Sequence, residues 1–222
     1  MTKVYEGIVI RQTKIVGGRR MILIFTREEG KISAGTHINE KSKGAAALAI
    51  RPFAYGRYTV NEKTSDIRSI SDTEIIDAHF RLGEDPDRFI EASWVLEFTD
   101  KLLPEGIPEP EVFDLLKEYL GMAAVRKTDY RLLTIAFMIK VMRELGVFPD
   151  KNSFAESELL SGLNGDILNI IAFIEGQPFG RMENLKLDPQ NEKAVFEVIR
   201  AFAGDHLDFN RMKSEIMLNG GK

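Results

Sequence analysis

The hydrophobic period of this chain changes once, near Leu82, and that change constrains the fold more than any other feature. Before it, β-branched and aromatic residues come in short runs separated by turn formers, the pattern of strands. After it, apolar residues recur at the three-to-four spacing that places them on one face of a helix. The reading is an α+β protein, with a small β-domain over residues 1–80 and an all-α domain over residues 81–222. With 222 residues and 44% apolar content, the chain is long enough to bury a core in each half.

Strands are expected over residues 4–13, 21–26, 31–36, 53–61 and 66–71. Gly17-Gly18 and Glu29-Gly30 separate the first three, because glycine tolerates the positive φ of tight hairpins. Asn39 is a candidate cap for a short alanine-rich helix holding Ala45 to Leu48, after which two more strands follow. Three strands, a short helix and two strands is the order of a five-stranded OB-fold barrel, whose strand 2–3 face commonly binds oligonucleotides. SH3-like barrels share the strand count.

In the second half, Asp85-Pro86 is an N-cap with proline at the first helical position, opening a helix to about Leu103. Further helices are expected from Glu109-Pro110, over 129–145, over 153–163 and over 165–175, the last two joined at Asn164-Gly165, and from Asp188-Pro189 to about Leu207.

Charge divides along the same line. The first 81 residues carry 14 basic and 9 acidic side chains, net +5, while the remaining 141 carry 16 against 25, net −9. Between Arg11 and Arg57 there are 10 basic residues and 3 acidic ones, a bias that suits a polyanion. Cysteine is absent, so disulfides, thiol nucleophiles and cysteine-ligated zinc or iron–sulfur centres are excluded. The three histidines, His37, His79 and His206, form no H-x-x-x-H or H-E-x-x-H pattern, and no cofactor is expected. There is no G-x-S-x-G, P-loop or G-x-G-x-x-G motif; Asp77-Ala78-His79 and Asp205-His206 read as caps or solvated pairs. A binding function is the stronger reading. No run is apolar enough to span a bilayer and Met1-Thr2-Lys3-Val4 leads straight into a strand, so the cytoplasm is the expected compartment.

In the fourth strand, alternation puts Phe53, Tyr55 and Arg57 on one face and Ala54, Gly56, Tyr58 and Val60 on the other. Aromatic rings beside a guanidinium suit single-stranded nucleic acid, since bases stack on rings while arginine meets phosphate. Barrel core is the competing assignment for Phe53 and Tyr55. Arg19 and Arg20 at a glycine turn, and Lys41 and Lys43 in the connecting loop, suit backbone contacts that read no sequence. Lys140 and Arg143 lie three apart on one helix among Phe137, Met138, Val141 and Met142. That arrangement is either a basic rim for an acidic–hydrophobic peptide or the edge of a core stripe.

Gly7-Ile8-Val9-Ile10-Arg11, the run from Ile24 to Ser33, and Arg51-Pro52-Phe53 resemble the bacterial recombination mediator family RecO. So do Leu102-Leu103-Pro104-Glu105-Gly106, Phe113-Asp114-Leu115-Leu116, Leu145-Gly146-Val147-Phe148-Pro149, His206-Leu207 and Met212-Lys213-Ser214. The resemblance implies an OB-fold followed by a helical domain, with no covalent chemistry. It also implies binding to single- and double-stranded DNA, strand annealing, association with RecR, and engagement of the single-strand-binding protein SSB so that RecA loads. A nucleoid-associated cytoplasmic location follows from that role. The DNA contacts expected on this basis are Arg11, Arg19, Arg20, Arg27, Lys41, Lys43, Arg51 and Arg57, with Tyr55 as a stacker. Lys140 and Arg143 are the expected contacts for the acidic C-terminal tail of SSB.

Three departures stand out. The family's four-cysteine zinc site has no counterpart between Asp150 and Leu163. The acidic–serine–acidic turn before the basic residue of strand 2 is replaced by Gly17-Gly18-Arg19, leaving Arg20 in that residue's place. The strongly basic stretch after strand 3 is thinned to Thr36-His37-Ile38-Asn39-Glu40, with Lys41 and Lys43 remaining. A protein–protein adaptor whose barrel has lost DNA binding is the alternative these departures leave open, and an enzyme using His79 or His206 is the weakest reading.

Overall fold

The structure is a computed structural model, and it describes every residue except 16–18, 39–43, 63–67, 128, 158–159, 162, 164, 208–211 and 213–222. Five strands, β1 (Thr2–Lys14), β2 (Arg20–Thr26), β3 (Gly30–Thr36), β4 (Tyr55–Asn61) and β5 (Arg68–Asp77), close into a barrel in the order β1-β2-β3-β5-β4. β3 and β5 pair in parallel and every other neighbour is antiparallel, which is the OB-fold arrangement. Alternate residues fill the barrel: Tyr5, Val9, Ile22, Ile24, Ile32, Ala34, Tyr58, Val60 and Ile70 form its core. The short helix α1 (Ala45–Ala49) is capped at Gly44; Gly17-Gly18 and Asn39 lie outside the described residues.

Two strands differ from expectation. β4 starts at Tyr55 because Phe53 has φ +73°, a left-handed conformation that ends a ladder. β5 runs to Asp77, held by β4 partners as far as Tyr55↔Asp77 although its sequence, Ser71-Asp72-Thr73-Glu74, is polar. Asp66, where it was expected to begin, lies outside the described residues.

The second half contains α2 (Pro86–Leu102), α3 (Pro110–Val125), α4 (Tyr130–Glu144), α5 (Gly165–Gly176) and α6 (Pro189–Leu207). Asp85 caps α2 by accepting from the Arg88 amide, and Asp188 accepts from the Gln190 and Asn191 amides at the start of α6. α4 is the central helix, buried continuously from Leu132 to Ile139. Between α4 and α5 the expected helix is a 3-10 segment, Lys151–Glu156, with the Asp150 carboxylate accepting from the Asn152 amide. Asn164 and the Lys213-Ser214 landmark lie outside the described residues.

The halves share one interface core. Gly7 to Ile10 and Ile22 to Phe25 are buried without a break, so these antiparallel strands have neither face in water. Ile8, Ile10, Leu23, Phe25, Phe53 and Tyr55 leave the barrel interior to their neighbours and join the helical core instead. Phe113 on α3 meets Phe25 edge-on at 5.6 Å and Tyr55 at 6.5 Å, and Phe89 on α2 meets Phe53 at 5.7 Å. The segment after α2 pairs with β3: the Gly106 amide donates to the Lys31 carbonyl at 2.9 Å, beside a Lys31↔Glu105 bridge. Gly30 is required there, since its φ is +68° and a Cβ would stand 1.9 Å from the Ile107 carbonyl oxygen.

Candidate nucleic-acid interface

Ion pairs follow the interface. A bulge between Val9 and Arg11 adds a residue to β1, which turns Arg11 to the outer face, where its guanidinium meets Asp100 of α2 at 3.3 Å. Lys31, only 5% exposed, reaches the same carboxylate at 2.9 Å. Arg27 holds Asp114 of α3 through two hydrogen bonds, 2.7 and 3.2 Å, and Lys117 returns the arrangement by reaching Glu6 of β1 at 3.2 Å. Tyr55 donates its hydroxyl to Glu6, and the Lys117 ammonium lies 4.7 Å above its ring. Tyr55 holds the Glu6 carboxyl below the usual range, helped by Lys117, and burial pushes the Tyr55 phenol up.

These contacts bear on three of the expected DNA residues. Tyr55 is 8% exposed and enclosed by Phe113 and Lys117, so no face of its ring is open to a base. Arg11 and Arg27 are exposed, and each pairs with a carboxylate of the helical half. Part of the basic–acidic split is therefore spent within the molecule.

The outer barrel surface divides further. Arg57 pairs across strands with Glu74 at 3.0 Å, and Lys3 and Arg68 enclose Glu29 at 2.6 and 2.9 Å, which draws the Glu29 carboxyl below its usual range. Arg51 is exposed and forms no ion pair with a described residue. The β1–β2 hairpin end is different again. Lys14 pairs in register with Arg20, and Arg20 with Thr36 at the end of β3. Lys14 and Arg19 are exposed with no ion pair to a described residue, and Arg20 donates to Gln12 at 3.1 Å. His37 follows Thr36 and is exposed; Lys41 and Lys43, a few residues on, lie outside the described residues. The sequence reading omitted Lys14. Its place at the end of a strand beside a glycine turn was the available signal.

Exposed cations on long stems at the end of a β-ribbon suit phosphate contact without base readout. His79 has no part in this. It sits with φ +47° at the junction of the halves, its Nδ1 2.8 Å from the Phe53 carbonyl and its backbone amide donating to Asp77. The His206 side chain lies outside the described residues.

On the helical half, Phe137, Met138, Val141 and Met142 are fully buried, so the stripe beside Lys140 and Arg143 is core and presents no apolar groove. Arg143 pairs with Glu175 of α5 at 3.0 Å. The Lys140 ammonium lies 5.9 Å from the Phe179 ring, and burial lowers its pKa. Among the described residues, no group of three or more Asp, Glu or His is arranged to hold a metal ion.

A closed five-stranded barrel of OB order, fixed by an apolar seam to a helical body, with Lys14 and Arg19 exposed at one hairpin end and without an ion pair to a described residue, defines a protein of the oligonucleotide-binding fold class. Residues 1–79 match the family described as "Recombination protein O N terminal" and residues 83–215 match "Recombination protein O C terminal". The chain belongs to the RecO family. A protein named DNA repair protein RecO from Alkaliphilus metalliredigens is 23% identical, the match covering 91% of this chain and 93% of that one. The protein of that name from Thermoanaerobacter sp. is also 23% identical, over 96% of each chain. The one from Pelotomaculum thermopropionicum is 30% identical over 65% of this chain and 55% of its own length.

Proposed function

We propose that this chain serves DNA repair as a binding protein and not as an enzyme, gripping DNA strands by their backbones at the hairpin end of the barrel. The observation that carries this reading is the exposure of Lys14 and Arg19 without any ion-pair partner among the described residues, beside Arg20, in a barrel whose other cations are largely paired. The relatives' name, DNA repair protein RecO, supplies the process. Neutralising phosphates on two strands lowers their mutual repulsion and speeds pairing, which supports strand annealing as the physical act. Cooperation with RecR and with SSB to load RecA, near the nucleoid, belongs to the same reading. Among the described residues no helix is long and apolar enough to cross a membrane, which accords with it.

Arg51, Lys41 and Lys43 extend the proposed grip. Arg57 is a secondary contact, because it must exchange Glu74 for phosphate. Lys140 and Arg143 stay as the proposed contact for the SSB tail, whose acidic residues would have to displace Glu175 from Arg143.

Fluorescence anisotropy with a labelled single strand tests the proposal. Binding should weaken steeply with salt, with a slope of about 0.7 per phosphate neutralised. Arg19→Ala with Arg20→Ala should weaken it, and salt-insensitive binding or an unchanged double variant would end the assignment.

A second reading is an adaptor without DNA affinity. It is favoured by one observation, the engagement of Arg11, Arg27 and Arg57 by Asp100, Asp114 and Glu74. Absence of binding to either DNA form at low salt would select it.

A further inference from the structure

A groove of about 420 Å³ lies where β1 and the turn before β4 meet α2, with Ile10, Pro52, Phe53, Phe89 and Leu96 as its apolar walls. Ile10, Phe53 and Leu96 are buried. Phe89 meets Phe53 edge-on at 5.7 Å and is still 43% exposed. A large ring left in water at the mouth of an apolar groove offers a flat ligand a surface to cover.

The charges around the mouth narrow the ligand. Glu97 and Asp100 line one side, and each carboxylate is met by a cation: Lys101 stands 4.0 Å from Glu97, and Arg11 and Lys31 both reach Asp100. Arg51 precedes Pro52 in the chain and is exposed with no ion pair to a described residue, so four cations stand here against two carboxylates. Lys14, exposed at the hairpin end, follows three residues beyond Arg11 on β1, roughly 10 Å along the strand. Positive charge thus continues from the groove to the hairpin. A polymer that repeats a phosphate beside an apolar-faced ring matches both features, and Ser93 with the two carboxylates supplies acceptors for the amino groups on base edges.

We propose that this groove takes an unpaired base of a single strand against Phe89 and Phe53, with the neighbouring phosphates held by Arg51 and, toward the hairpin, by Lys14. The stacking role expected of Tyr55 passes to Phe89. The proposal rests on the DNA reading and adds to it a preference for single strands, because a base in a duplex would first have to leave its stack. Stacking uses the ring face that every base has, so the groove reads no sequence.

The test compares, by anisotropy on the full chain, a labelled mixed-sequence single strand with a strand of the same length whose central nucleotides are abasic. The two carry the same phosphates and differ only in bases. The abasic strand should bind at least roughly fivefold more weakly at the same salt slope. Phe89→Ala should cause a similar loss on the normal strand and none on the abasic one. If Phe89→Ala does not fold, Ser93→Tyr, which fills the groove and removes no ring, should give the same pattern. Equal binding of the two strands, or a variant that weakens both alike or neither, would overturn the groove while leaving salt-sensitive DNA binding in place. Equal binding of the strands together with Phe89-dependent binding of an acidic–aromatic peptide, acetyl-Glu-Glu-Phe-Leu, would give the groove to a protein partner and overturn the proposal as well. Absence of binding to either strand would end the DNA reading itself, a result distinct from the others.

Discussion

On the side of the barrel turned toward α2 and α3, Arg27 is answered by Asp114 and Lys31 by Asp100, whereas at the hairpin end Lys14 and Arg19 face solvent with no described carboxylate near enough to pair. Both regions are basic in sequence. Only in the second do the described residues leave the cations without a carboxylate partner. On the helix-facing side the cations rim an apolar seam of Phe25, Tyr55 and Phe113, so ion pairs and aromatic contacts join the two halves there. A count of basic residues measures a ligand surface only after the internal pairs have been removed from it.

Breaking the seam should have the largest effect. Phe113→Ala removes a fully buried ring from between the halves and should cost about 3–5 kcal/mol, read as a lower urea midpoint. A smaller loss is expected from Asp100→Asn, which takes the carboxylate from nearly buried Lys31, at about 1.5–3 kcal/mol. Asp114→Asn, whose partner Arg27 is on the surface, should leave the midpoint almost unchanged; a drop as large as that of Asp100→Asn would refute the division between buried and exposed cations.

The hairpin variants sharpen the other side of the comparison. Arg19→Ala with Arg20→Ala should weaken single-strand binding roughly tenfold, about 1.4 kcal/mol, and reduce the salt slope by about 0.7 for each phosphate that is no longer neutralised. Arg27→Ala should change the same affinity by less than roughly twofold. Equal reductions in the two variants would mean that the ion pairs of the seam open for DNA.

The smallest effect is on pH dependence. Glu6 is held below its ordinary value of 4.5 by Tyr55 and Lys117, so its contribution is full above pH 4.5 and is lost as pH falls through the lower folded value. Glu6→Gln should therefore flatten the acid side of the stability curve below pH 4.5 and leave its neutral region parallel to the parent.

Much of the fold was legible because it is written locally. Asp85-Pro86 and Asp188-Pro189 mark helix starts through capping atoms a few residues away, and the change of period near Leu82 needs no distant partner. The polar end of β5 was not legible, because β4 across the sheet holds it in place. The seam left a signal that went unread: Gly7-Ile8-Val9-Ile10 and Ile22-Leu23-Ile24-Phe25 are apolar without alternation, which in antiparallel strands means burial on both faces. Read that way, Tyr55 would have been assigned to an interface. Its shared face with Arg57 was correct, but Tyr55 is buried against Phe113 and Arg57 remains exposed.

The sequence by itself determined the element order, the family and the charge split, because period, caps and composition act over a few residues or need no geometry at all. Tertiary structure decided which cations meet a carboxylate, since Asp100 and Asp114 lie far along the chain from Arg11, Lys31 and Arg27 and meet them only after the seam has formed. It also placed Asp87 and Glu91 of α2 beside Asp129 and Glu192 from two other helices, making an acidic cavity that no local pattern marks. Coulomb energy depends on distance in space, and distance along the chain does not supply it.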